Sequence, residues 1–318
     1  MPLSTDPKAV ELASEVLKSF DKVSGGIHPG FRPGHAKGIL LTGTFTPAPD
    51  ARKLTRAPHI QRPSTPVTVR LSDFAGIPNV PDNDPNGASP RGCVIRFNLA
   101  DHVHTDIVAH SVDSFPARTA EGLIDFLNAV AATDPNGPHP NAIEQYLSTH
   151  PEALAFVQIP KPIPTSFAHE SFFAVSAFKF TNAEGKSQYG RYHVVPVAGN
   201  EYLSSEEAAK QSPNFLFDEL KQRLASSPVK FKILVQLAAD GDATNDATIR
   251  WPETRALVEF GEISLTGSVE NNAKEQQHII FDPIPRVDGI EASADPLFQP
   301  RADVYLMSGR RRRAAQPA

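Results

Sequence analysis

A single cysteine among 318 residues, Cys93, removes several kinds of chemistry at once. Intrachain disulfides, thiolate-ligated clusters and c-type haem attachment are all excluded. A lone thiol fits a reducing cytoplasm. No apolar run approaches the roughly 18 residues needed to cross a bilayer, so no membrane partner is expected. The N-terminal MPLSTDPKAVEL has no basic segment followed by an apolar core, and so shows no signal peptide. The expectation is a cytoplasmic protein, or a periplasmic one if a leader has been removed. A net charge of -5 argues against nucleic acid as the main partner. The cluster Arg310 to Arg313 reads as a solvated basic tail, apart from Arg312.

What is present describes a folded chain. An apolar fraction of 40% and a charged fraction of 21% are those of an ordinary globular protein able to bury a large core. The 30 prolines exceed the usual share of about 5%, which favours shaped loops between strands over a helical bundle. Asp6 and Pro7 suit a helix start, and Leu12, Val16 and Phe20 repeat at helical spacing, so residues 7–22 read as an amphipathic helix. Segments 38–45, 66–72 and 92–99 read as strands bounded by Pro, Gly, Asn or Asp. Thr119 can cap a helix carrying Leu123, Phe126, Leu127 and Val130. Strands at 171–182 and 188–197, joined by the turn AEGKS, form the clearest hairpin. Helical pieces follow at about 204–226, with further strands at 229–238, 256–267 and 278–283. The pattern predicts an α+β fold on an antiparallel sheet long enough to curl into a β-barrel. Two units are expected: an N-terminal helix or arm at 1–30 and one barrel domain at 31–318.

Candidate chemistry lies at both ends of the chain. In QPRADVYLMSGRRRR, Arg301 and Tyr305 stand four residues apart, which stacks them on one helix face. A phenolate beside a guanidinium is a hard anionic donor suited to ferric iron. In PVTVRLS, alternation puts Val67, Val69 and Leu71 on one face, with Thr68, Arg70 and Ser72 on the other. An arginine there needs an anionic partner if it is buried. Upstream, FRPGHAKGILLTGTF contains Arg32 and His35.

That last segment, R-x-x-H-A-K-G-x-x-x-x-G-x-F, resembles the distal histidine motif of the haem catalases. The resemblance continues through TVRLSDFAG, FKFTNAEGKSQYGRYHVVP and FDPIPRVDGIEAS to the Arg301/Tyr305 pair, spanning roughly residues 28–312. The chain is shorter than the large catalases and most resembles their small relatives, the catalase-related peroxidases or mini-catalases. The resemblance implies a catalase-type β-barrel with surrounding helices and a C-terminal haem-ligating helix. It implies haem b as cofactor, with Tyr305 as the axial iron ligand and Arg301 beside it. His35 would shuttle a peroxide proton, and Ser72 would accept the proton of its other ring nitrogen. Arg32, Arg70 and Arg312 would hold the haem propionates, and Phe115 would pack on the porphyrin.

Two departures from the family pattern stand out. Where the large catalases carry a distal asparagine, DIVAHSVDSFPAR offers His110, Ser111 or Asp113. Gly34 replaces a bulkier apolar residue before the distal histidine, which should open space above the iron and admit larger peroxides and organic donors. The expected activity is therefore a haem peroxidase using hydrogen peroxide or organic peroxides and a small organic electron donor, with weak catalase activity. Alternatives are a hydroperoxide isomerase similar to allene oxide synthase and a non-enzymatic haem-binding barrel. A monomer or small homo-oligomer is expected.

Overall fold

Residues 2–315 are described by a computed structural model; residue 1 and residues 316–318, which the expected domain boundaries include, lie outside the described residues. Its strands are β1 (Gly38–Pro47), β2 (Thr65–Ser72), β3 (Gly92–Ala100), β4 (Val103–His110) and β5 (Phe172–Phe173). They continue with β6 (Phe178–Thr181), β7 (Ser187–Pro196), β8 (Val229–Leu237), β9 (Leu257–Ser268) and β10 (Ile290–Ala292). All neighbours pair antiparallel. The order β1-β2-β3-β4-β5-β7-β8-β9 closes on itself because β9 also pairs with β1. Closure removes the free edges that an open sheet would expose. β6 and β10 extend outward from β7.

Alternation gives the wall two faces. Val67, Val69, Leu71, Cys93, Ile95 and Phe97 point inward and join one apolar core with Phe45, Tyr192 and Phe260. Edge-on aromatic contacts tie this core together, Phe45 to Phe97 at 5.0 Å and Tyr192 to Phe260 at 5.4 Å. Arg70, Ser72 and His110 fall on the outer face and line a cavity there.

Ten α-helices pack around the barrel among the described residues. The early ones are α1 (Pro7–Val23), α2 (Ala51–Leu54), α3 (Pro58–Gln61), α4 (Ala120–Ala131), α5 (Ala142–Leu147) and α6 (Pro151–Gln158). The later ones are α7 (Ser205–Ala209), α8 (Phe215–Leu224), α9 (Asn272–His278) and α10 (Phe298–Ala314). No helix among the described residues is long and apolar enough to cross a membrane. The Asp6 carboxylate caps α1 by accepting from the Lys8 N–H, and Pro7 occupies the first turn. Ala13, Val16 and Leu17 of α1 pack with Leu123 and Leu127 of α4 and Val304 of α10. Arg311 fastens the same contact with a bidentate pair to Asp21 at 2.6 and 2.9 Å. The expected solvated tail is corrected accordingly: Arg311 clamps α10 to α1, and Arg313 donates to the His278 carbonyl.

Two expected strands are also corrected. Segment 171–182 divides into β5 and β6 at the stretch where Val175 packs on Leu297 and the Ser176 hydroxyl accepts from Arg301. The strand expected at 278–283 does not form. Its backbone bonds with side chains instead: Arg32 and Arg312 both donate to the Ile279 carbonyl, and Arg96 donates to that of Ile280. The Asp282 N–H donates to Asp106. With those groups satisfied, no ladder partner is needed.

His59 lies in the core, stacked on Phe97 at 4.4 Å, with neither ring nitrogen hydrogen-bonded. Burial pushes it down from 6.5 to about 3. Between those values the unfolded chain holds a proton that the folded one lacks, so stability falls as pH drops from about 6.5 towards about 3. His59→Leu should therefore flatten the pH dependence of the urea-unfolding free energy below pH 6.5, by up to one proton. An unchanged slope would show that His59 does not contribute to it.

Candidate functional site

Sheet register aligns the upper part of the site. Ser72 of β2 pairs with Gly92 of β3, and Gly92 pairs with His110 of β4, so the three share one rung on the outer face. The next rung but one holds Arg70, Val94 and Val108. Gly92 has to be glycine: a Cβ there would lie 2.6 Å from Ser72 Oγ and 2.8 Å from His35 Nδ1. The bare backbone leaves room for the His35 ring, which arrives from the loop before β1.

His35 is held in several ways. Its backbone is left-handed, with φ of 56°, which is uncommon for any residue but glycine. The His35 N–H donates to the Phe74 carbonyl, and the Phe74 ring meets the imidazole edge-on at 5.5 Å. Ser72 Oγ lies 3.2 Å from His35 Nδ1. Burial first, and then the charge of Arg70, push His35 down to about 3, so its ring is neutral near pH 7.

The lower wall comes from α10. Arg301, Tyr305, Ser308 and Arg312 all face the cavity, as spacings of four and seven residues on one helix allow. The Arg301 guanidinium lies 6.0 Å from the Tyr305 ring centroid, and its Nη1 donates to Ser176. Gly309 lets the helix approach residues 279–281, since a Cβ there would come 2.3 Å from Ile280 Cδ1. Phe115 lines the cavity beside His110, ring centroids 6.3 Å apart.

Three arginines converge on this space without a carboxylate. Arg70 and Arg312 are buried and Arg32 is half-buried, yet none makes a salt bridge among the described residues. Arg70 donates to Gln276 and to the His35 carbonyl. Arg32 donates to the carbonyls of Gln276 and Ile279. Arg312 donates to Ser308 and Ile279, while its Nε is buried without a partner. Burial above all, then mutual repulsion, hold Arg32 well below its usual value and push Arg70 down to about 9. Arginine does not release its proton in proteins, so these buried charges remain without a paired carboxylate. Arg96, on the same strand system, has a bidentate partner in Asp106 at 2.9 and 2.8 Å. The donor set of the three arginines fits the two carboxylates of a haem, and the phenol of Tyr305 fits its iron.

The cavity thus brings together His35, Ser72, Arg32, Arg70, Phe115, Arg301, Tyr305 and Arg312. Of the three candidates for the asparagine position, only His110 lines it. Ser111 Oγ accepts from the Arg91 N–H, and Asp113 faces Arg250. The room expected beside Gly34 is taken by Phe20 of α1, whose ring would lie 3.4 Å from a Cβ at that position. Sequence reasoning missed Gln276, which bridges Arg70 and the Gly38 carbonyl, because nothing in its neighbourhood marks it. It also missed the apolar wall of Val16, Phe20, Leu123, Phe126 and Phe156, although helical periodicity in 7–22 and 119–130 marked most of it as buried.

Comparison with known proteins adds an independent line. A family model described as Catalase matches residues 29–316. The chain is 37% identical over 288 residues to a catalase-related peroxidase of Mycolicibacterium paratuberculosis, covering 90% of each. It is 32% identical to a catalase-related peroxidase of Synechococcus elongatus, covering 89% of this chain and 84% of the relative. A crystal structure of a fungal catalase superposes with a TM-score of 0.79 at 23% identity, over 89% of this chain and 59% of the larger one. That likeness concerns the fold.

Gly92→Ala should displace the His35 ring and break its contact with Ser72, at a cost of about 1–3 kcal/mol. Nitrogen NMR of the His35 imidazole, together with urea unfolding, would measure both effects. An unshifted resonance in a folded variant would show that the rung leaves more room than the register implies.

Proposed function

The chain belongs to the catalase family, and from that premise we propose that haem b occupies the cavity and that Tyr305 would hold its iron. The activity is of the haem peroxidase and catalase type, with a peroxide as oxidant. The observation that carries the reading is the arginine cluster without a carboxylate, lining the same cavity as the His35–Ser72 pair and Tyr305. When bound, haem supplies the iron chemistry that cleaves a peroxide O–O bond.

The chain's own groups bind and move charge. Arg32, Arg70 and Arg312 would hold the propionates through charge-assisted hydrogen bonds, and Phe115 would pack on the porphyrin. Arg301 would set its positive charge 6.0 Å from the ring of Tyr305, the residue that would hold the iron. Ser72 accepts the His35 Nδ1–H, which leaves the Nε2 lone pair free for the peroxide proton. Burial disfavours a lasting imidazolium, so His35 passes that proton on to the second peroxide oxygen rather than keeping it. Such proton transfer is worth roughly 10²–10⁴-fold.

A small organic electron donor is the proposed reductant, with weak catalase activity alongside. The names of the two similar peroxidases and the apolar wall of α1 and α4 support it. A monomer or small homo-oligomer in the cytoplasm is proposed; the single buried cysteine fits the reducing compartment.

The test is the visible spectrum of the holoprotein and two variants. Tyr305→Phe should abolish the high-spin ferric spectrum, whereas His35→Ala should keep it and lose at least about a hundredfold in the rate of reaction with peroxide. A spectrum indifferent to Tyr305 would refute the ligand assignment.

A further inference from the structure

Resting on the reading above, we propose that Asp73 is a positioning residue for His35, kept as a neutral acid in a buried charge cluster where its hydroxyl donates to Asp82. The first support is register. Lys37, Asp73 and Arg91 are the next positions beyond Gly38, Ser72 and Gly92, which pair across β1, β2 and β3. The ladder runs on through them, since the Asp73 N–H donates to the Lys37 carbonyl and the Ser111 N–H to that of Arg91. The rung that receives His35 therefore abuts a rung of charge. Each charged residue is joined by one peptide bond to a member of the rung beside His35.

The second support is a count. Two cations, Lys37 and Arg91, meet three carboxyl groups, those of Asp73, Asp82 and Glu170, and all but Lys37 are buried. Full ionisation would leave one negative charge in excess, so one carboxyl keeps a proton. Asp82 accepts from the Lys37 ammonium and the Leu216 N–H. Glu170 accepts from the Ser171 N–H and the Tyr202 hydroxyl. Neither oxygen of Asp73 accepts from any donor among the described residues. Its nearest cations stand off, Arg91 Nε at 3.6 Å and the Lys37 ammonium at 3.9 Å. The carboxyl without a donor is the one that keeps the proton. Burial, followed by the charge of Asp82, pushes Asp73 up to about 8, against the opposing pull of Arg91 and Lys37. The charge of Asp73 is also felt at Arg70.

Ionising Asp73 upsets this arrangement. A third carboxylate would draw in the Lys37 ammonium and Arg91 Nε, which is itself buried without a partner. The neighbouring rung has no slack to absorb the movement, because a Cβ on Gly92 would lie 2.6 Å from Ser72 Oγ. Displacement of Asp73 and Arg91 passes directly to Ser72 and Gly92, and so alters the 3.2 Å contact between Ser72 and His35. Asp73 touches no substrate; it acts through Ser72 and His35. Proton transfer by His35 therefore declines as pH rises through about 8.

Infrared spectra of protein labelled with carbon-13 at its aspartate carboxyls test the proton directly. Between pH 7 and pH 9 one carboxylic acid band should disappear, in apoprotein and holoprotein alike, and Asp73→Asn should lack it. Asp113, pushed up only to about 6, is already ionised at pH 7. A parent without that band at pH 7 would overturn the proposal. Cyanide binding to the ferric holoprotein reads the consequence, because hydrogen cyanide must also give up a proton and the binding involves no redox chemistry. The parent's binding rate should fall at least about fivefold from pH 7 to pH 9, and Asp73→Asn, neutral throughout, should remove that fall. An equal fall in Asp73→Asn, or none in the parent, would overturn the positioning role. Loss of the Tyr305-dependent haem spectrum from the parent would instead overturn the functional reading and leave the infrared result standing.

Discussion

Positive charge without a counter-charge is the constraint around which this site is arranged. Burying a guanidinium without an anion is expensive, and the chain does it with Arg70 and Arg312, with Arg32 close by. The carbonyls of Ile279 and Gln276 and the hydroxyl of Ser308 satisfy some of the N–H groups but supply no negative charge. Asp106 shows that this fold can provide a carboxylate to an arginine when one is needed. The arginine cluster therefore leaves positive charge that an anionic ligand would compensate, and this supports the proposed haem site.

The barrel contributes register rather than bulk. Its inner face is filled and inert, while its outer face offers rungs on which side chains two strands apart stand side by side. One rung carries Ser72 and His110 with a glycine between them, and that gap receives His35 from a loop in left-handed conformation. To the same cavity α10 delivers Arg301, Tyr305 and Arg312 from a single continuous helix. The salt bridge from Arg311 to Asp21 and the packing of Val304 with α1 fasten that helix to α1.

The legible parts of the sequence were those governed by local periodicity. Segments 66–72 and 92–99 alternate cleanly because one face is core, and α1 begins where Asp6 and Pro7 indicate. β4 carried a weaker signal, because its inward residues include Thr105 and Ala109 alongside Ile107. Residues 278–283 misled because their apolar side chains suit a strand, whereas their backbone partners are arginines from distant parts of the chain. The same long-range dependence hid Gln276 and the ring of Phe20 beside Gly34. Alternation put Ser72 on a face with Arg70, helical spacing put Tyr305 on a face with Arg301, and ordered motifs of a known family marked His35; their convergence on one cavity belongs to the fold.

The arginine cluster is proposed to bind the two propionates of haem. Titrating the apoprotein with haem and with haem dimethyl ester, followed by the Soret band, tests it most directly. Removing both carboxylate charges should weaken binding at least about a hundredfold, the loss expected for two charge-assisted hydrogen-bonded groups. Equal affinity for the two porphyrins would contradict the account.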